Sequence, residues 1–90
     1  MLKVNALLLG SLKGAVYDFE YVGDELSLHT HDEHDVHISI VARGSVKVFG
    51  PDNSWEQAYS AGSVLDWEPG QYHGFISLEP NSRLVNIIKG

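Results

Sequence analysis

The stretch Leu26-Ser-Leu-His29-Thr-His31-Asp-Glu-His34-Asp-Val-His37-Ile-Ser-Ile-Val-Ala42 holds two runs of alternating apolar and polar residues on either side of an acidic turn. Alternation with a period of two marks a half-buried β-strand, in which residues two apart share a face. That phase puts His29 and His31 on one face, with Ser27 and Glu25 behind them. It groups His37 with Ser39 and Val41 in the same way. Leu26, Leu28, Ile38 and Ile40 are predicted on the opposite faces, packed against another sheet or a second subunit. His34, among Asp32, Glu33 and Asp35, reads as a solvent-exposed turn residue.

The same grammar extends along the chain. No helical period persists, and β-rich runs alternate with turn residues at the short, regular spacing of an all-β sandwich or barrel. The runs are Val4–Leu9, Ala15–Val22, Leu26–His31, His37–Ala42, Val46–Phe49, Trp55–Ser60, Val64–Trp67, His73–Leu78 and Leu84–Lys89. They are divided at Gly10, Gly14, Gly23-Asp24, Gly44, Gly50-Pro-Asp-Asn, Gly62, Pro69-Gly70 and Pro80-Asn-Ser. One domain spanning residues 1–90 is expected, and closing it into a barrel removes the open edges of a small sheet.

Composition narrows the function. Ninety residues bury roughly 60–65% of their unfolded surface, so the core is thin. There is no cysteine, hence no disulfide and no thiolate metal site. Stability must come from packing, a metal or a partner, and a homodimer is expected. A formal net charge of −6 argues against nucleic acid and anionic membranes, which call for basic patches. The apolar run Ala6–Leu9 is too short for a signal-peptide core, and a cytoplasmic location is expected.

Four of the five histidines fall within nine residues, His29 to His37, and the fifth, His73, follows the Pro69-Gly70 turn and shares a face with Phe75. Protonated imidazoles crowded together repel, so a bound divalent ion is the economical reason for the cluster. Strands carrying His29 and His31, His37, and His73 can converge inside a barrel on a first-row transition ion.

Two segments carry a family likeness. Gly23, His29, His31 and Gly44 are spaced much as in the first motif of the cupin superfamily, Gly-x5-His-x-His-x3–4-Glu-x6-Gly. Gly62-Ser-Val-Leu-Asp-Trp-Glu-Pro-Gly-Gln-Tyr-His73-Gly-Phe resembles the second. The 17 residues between Gly44 and Gly62 match the short inter-motif loop of small cupins. The likeness covers about half the chain and implies a small jelly-roll β-barrel of about eight or nine short strands with one divalent metal. Two departures stand out. Counting seven back from Gly44 gives His37 where the family carries glutamate. Counting four forward from His31 gives Asp35, which would restore a carboxylate. His37 is preferred because its register to Gly44 is intact, so the implied ligands are His29, His31, His37 and His73; the alternatives are Asp35 in place of His37, or three histidines with neither. The second departure, Ser77 at the family's asparagine position, is read as neutral.

Such a centre admits iron, manganese, nickel, copper or zinc. The resemblance implies an enzyme of dioxygenase, isomerase or lyase type acting on a small molecule; strand position offers Glu25, on the face of His29, and Tyr72, next to His73, as the nearest proton carriers. The competing readings are a non-catalytic module that binds a small molecule or metal, and a barrel stapled by a structural metal.

Overall fold

The computed structural model describes residues 2–29, 36–68 and 70–89. Nine strands follow in order: β1 (Leu2–Leu9), β2 (Leu12–Phe19), β3 (Glu25–His29), β4 (Val36–Arg43), β5 (Ser45–Phe49), β6 (Glu56–Ser60), β7 (Val64–Asp66), β8 (His73–Ser77) and β9 (Ser82–Lys89). A short 3-10 turn, Pro51–Asn53, links β5 to β6. Two antiparallel sheets, ordered β1-β2-β9-β4-β7 and β3-β8-β5-β6, form the all-β barrel that the alternation predicts, in the jelly-roll form that the family likeness implies. Each of the nine predicted runs contains a strand among the described residues, although β2 lies three residues earlier than its run, with Gly14 inside it. The ends move where pairing extends them: Leu2 and Ser82 both face Phe19 across the ladder, so β1 and β9 begin two residues early. No helix among the described residues is long and apolar enough to cross a membrane.

Alternation builds the interior. On β4, His37, Ser39 and Val41 are buried while Ile38 and Ile40 are half-buried on the other face. Ser82, Leu84 and Asn86 repeat the pattern on β9, and His73, Phe75 and Ser77 repeat it on β8. Phe19, Val41, Val46, Val48, Phe75 and Leu84 form a core with no exposed surface, flanked by Leu2, Tyr17, Leu26, Tyr59, Leu65 and Trp67. Removing that apolar area from water is the main force closing the sheets.

One end of the barrel is tied by turns. Gly44, at φ +74°, joins β4 to β5, and a side chain there would strike Ser82. Ser82 Oγ in turn accepts the Ser45 amide at 3.2 Å. At the same end Ser77 Oγ donates to the Tyr21 carbonyl at 2.5 Å, and the Gly23 amide donates to Ser77 O at 2.9 Å. Ser77 therefore pins the Tyr21–Asp24 turn, a structural task that its neutral reading in the sequence omits. The outer face of the long sheet carries an ion cluster: Arg83 Nε and Nη2 reach Asp18 at 2.7 and 3.3 Å, and Arg43 Nη2 lies 3.7 Å away.

The strand phase read from the sequence needs one correction. Leu26 faces Phe75 and His29 faces His73, so Ser27 and Leu28 together oppose Gly74 alone. This is a β-bulge, and its extra residue reverses the phase. Leu26, predicted opposite the histidines, packs on the core, and Glu25, predicted to share the face of His29, is exposed. Gly74 makes room for the bulge: a Cβ there would strike the Phe49 ring and approach the Leu28 amide nitrogen to 3.1 Å.

Candidate metal centre

The end opposite Gly44 gathers imidazoles from three strands. His73, fully buried, opens β8, His37, 2% exposed, lies on β4, and His29, half-buried, closes β3 behind the bulge. The His73 ring stands between the other two, 4.5 Å from His29 at 70° and 5.1 Å from His37 at 53°, centroid to centroid. Nδ1 and Nε2 of His37 and Nε2 of His73 are all shielded from solvent.

Two of the rings are oriented by the same device. His29 Nδ1 lies 2.7 Å from the Ser27 carbonyl and His73 Nδ1 lies 3.1 Å from the Gln71 carbonyl. A carbonyl oxygen only accepts, so Nδ1 carries the proton in both. In the neutral ring Nε2 is then the lone-pair nitrogen, the tautomer suited to a metal ligand.

Trp67 fixes the position of His73. The indole lies 4.1 Å from the imidazole with the planes 13° apart, and it meets Phe75 edge-on at 6.1 Å. Its Nε1 donates to Ser39 Oγ at 2.9 Å, and Ser39 Oγ donates to Asn86 Oδ1 at 2.5 Å. Ser39 and Asn86 are both buried, so each link satisfies a polar group that would otherwise be costly in the interior. Sequence reading missed this relay, because its members lie 28 and 47 residues apart. The trace it leaves is Asn86, a lone amide within the apolar run Leu84–Ile88.

The remaining expectations divide. His31, His34 and Asp35 lie outside the described residues. Glu25 borders, with Ser27, Tyr17 and His29, an open hollow at the seam between the two sheets. It therefore faces outward, at the other end of β3 from His29. Tyr72, beside His73, is 49% exposed. Among the described residues no three histidine or carboxylate side chains are arranged to hold one ion. The three imidazoles fit a transition ion in donor type and, for His29 and His73, in tautomer; what they lack is a common focus.

No family profile matches the chain, and no curated protein matches it in sequence. Solved structures do. KdgF from Halomonas sp. is similar at a TM-score of 0.79 and 20% identity, over 97% of this chain and 78% of that one. An RmlC-like cupin from Desulfovibrio desulfuricans gives 0.81 and 20%, over 97% and 81%. The cupin-2 domain of an XRE-family transcriptional regulator from Enterobacter cloacae gives 0.77 and 13%, over 99% and 96%. The fold is cupin-like.

Proposed function

We propose that in the cytoplasm this barrel holds one divalent transition ion through His29, His31, His37 and His73, and acts through it on a small oxygen-bearing molecule. The carrying observation is the shared orientation of His29 and His73, each giving Nδ1–H to a carbonyl two residues back. The burial of His37 supports it as the fourth ligand. Bound ions of this kind polarise a carbonyl or carboxylate oxygen. The chain's own contribution is positional: Trp67 holds His73 in place, and Tyr72, beside His73, carries protons to and from the bound molecule, a role that the outward-facing Glu25 at the other end of β3 is poorly placed to share. Dioxygenase, isomerase and lyase chemistry all suit this arrangement.

A second reading, a non-catalytic binding module with a structural metal, has one observation in its favour. The buried polar side chains among the described residues are His37, Ser39, His73, Ser77, Ser82 and Asn86, with no carboxylate. Elemental analysis tests both readings. About one ion per chain is expected, lost in His31→Ala and His73→Ala and kept in His34→Ala. Full retention in His73→Ala defeats the ligand set. A loaded ion from which no small oxyacid displaces water defeats the enzyme and leaves the module. The apolar edge strand β1, with Val4 55% and Leu8 76% exposed, supports a second copy of the chain as the partner.

A further inference from the structure

The seam between edge strands β6 and β7 opens on the outside of the barrel and forms a hollow of about 480 Å³. Small-molecule sites run from roughly 300 to 1,000 Å³, so the size suits a compact ligand. Trp55, Tyr59 and Trp67 supply its aromatic walls. The two indoles stand 6.5 Å apart at 31°. A second hollow continues from it, sharing Asp66 and Gln71 and adding Glu68.

Trp55 is a built feature of this seam. It is 37% exposed, yet its indole lies against Gly50, where any side chain would collide with it. The Gly50 amide also donates to the Trp55 carbonyl at 3.0 Å. Charge selects the ligand. None of the chain's six lysines and arginines lines either hollow, and Glu56 on the neighbouring strand is engaged by Lys47 at 3.1 Å. Asp66 and Glu68 therefore set a negative field beside aromatic faces, whose quadrupoles also favour a positive charge. Anions are repelled here, and a neutral molecule gains only the apolar contact.

We propose that this seam binds a small organic cation of the quaternary or methylated ammonium class, with its methyl groups against Trp55, Tyr59 and Trp67 and its charge toward Asp66 and Glu68. The site shares Trp67 with the histidine cluster, since His73 stacks on that indole, but it uses none of the imidazoles. The test is calorimetric titration of the whole chain with choline, and with 3,3-dimethylbutan-1-ol, which has the same shape without the charge. Saturable choline binding is expected, with the alcohol about tenfold weaker or worse. Asp66→Asn and Trp55→Ala should each weaken choline by about five- to tenfold, whereas Trp55→Phe, which keeps an aromatic face, should stay within about threefold. Circular dichroism and unfolding curves confirm that each variant is folded. Absence of saturation by about 50 mM choline, equal binding of the alcohol, or unchanged binding in both Asp66→Asn and Trp55→Ala overturns the proposal.

Discussion

Trp67 lies flat on His73, ring centroids 4.1 Å apart, and is anchored at its far edge by a hydrogen bond to Ser39. A ligand imidazole braced by a ring that is itself tethered has few orientations open to it. The bracing can be measured. In the double-mutant cycle of Trp67→Phe and Ser39→Ala, unfolding by denaturant should return a coupling of about 0.5–1.5 kcal/mol, the usual size for a buried hydrogen bond. Additivity within about 0.3 kcal/mol would mean that the bond contributes nothing.

The Asp18 cluster gives a pH prediction. The hydrogen bond from Arg83 is the main influence holding the Asp18 carboxyl below its ordinary value of 3.8; the charges of Arg83, Arg43 and Lys3 add to it and partial burial opposes it. A carboxyl whose folded value is depressed stabilises the fold above the unfolded value and loses that contribution as pH falls through the folded one. Asp18→Asn should therefore cost up to about 1 kcal/mol at neutral pH, the range for half-exposed ion pairs. The gap between variant and parent should close as the solution is acidified below 3.8. A gap that is constant from neutral pH into strong acid would rule out this assignment.

Association is the third prediction. Val4, Ala6 and Leu8 continue the face on which Leu2 packs into the core, yet all three are exposed along an unpaired edge. Sedimentation at micromolar concentration should show a particle of two chains, and Leu8→Lys should reduce it to one. A single-chain particle from the unaltered protein would remove the dimer.

The bulge supplies a fourth. Gly74→Ala places a methyl group against Phe49 and the Leu28 amide, so the bulged backbone must move. Overpacking of this kind should cost about 1–3 kcal/mol in thermal or denaturant unfolding. A loss under about 0.5 kcal/mol would show that β3 and Phe49 yield freely.

Most of the fold is legible in the residues, because turns at Gly44, Gly62 and Pro80-Asn-Ser bracket runs whose alternation is nearly unbroken. His73 is legible for the same reason, following a Pro-Gly turn at the mouth of a strand. Leu26-Ser-Leu-His29 defeats the method by being too regular. It reads as perfect alternation, and the extra residue shows only in its pairing with Gly74 on a strand nearly fifty residues away. The relay through Ser39 and Asn86 is hidden likewise, since a serine and an asparagine acquire meaning only once β4 and β9 are side by side. The fate of His31, His34 and Asp35 lies outside the described residues.

The extra residue in β3 also gives that strand a parity its histidines do not record. Losing one position between Leu26 and His29 would leave every imidazole and the His-x-His spacing in the chain. It would remove the bulge and still keep His29 on the inner face, because Leu26 and His29 would then be two apart and pair regularly with Phe75 and His73. Copies of this domain with and without that residue can thus present the same inward pair, whereas a change that made the full-length strand pair without its bulge would turn His29 outward with every histidine still in place.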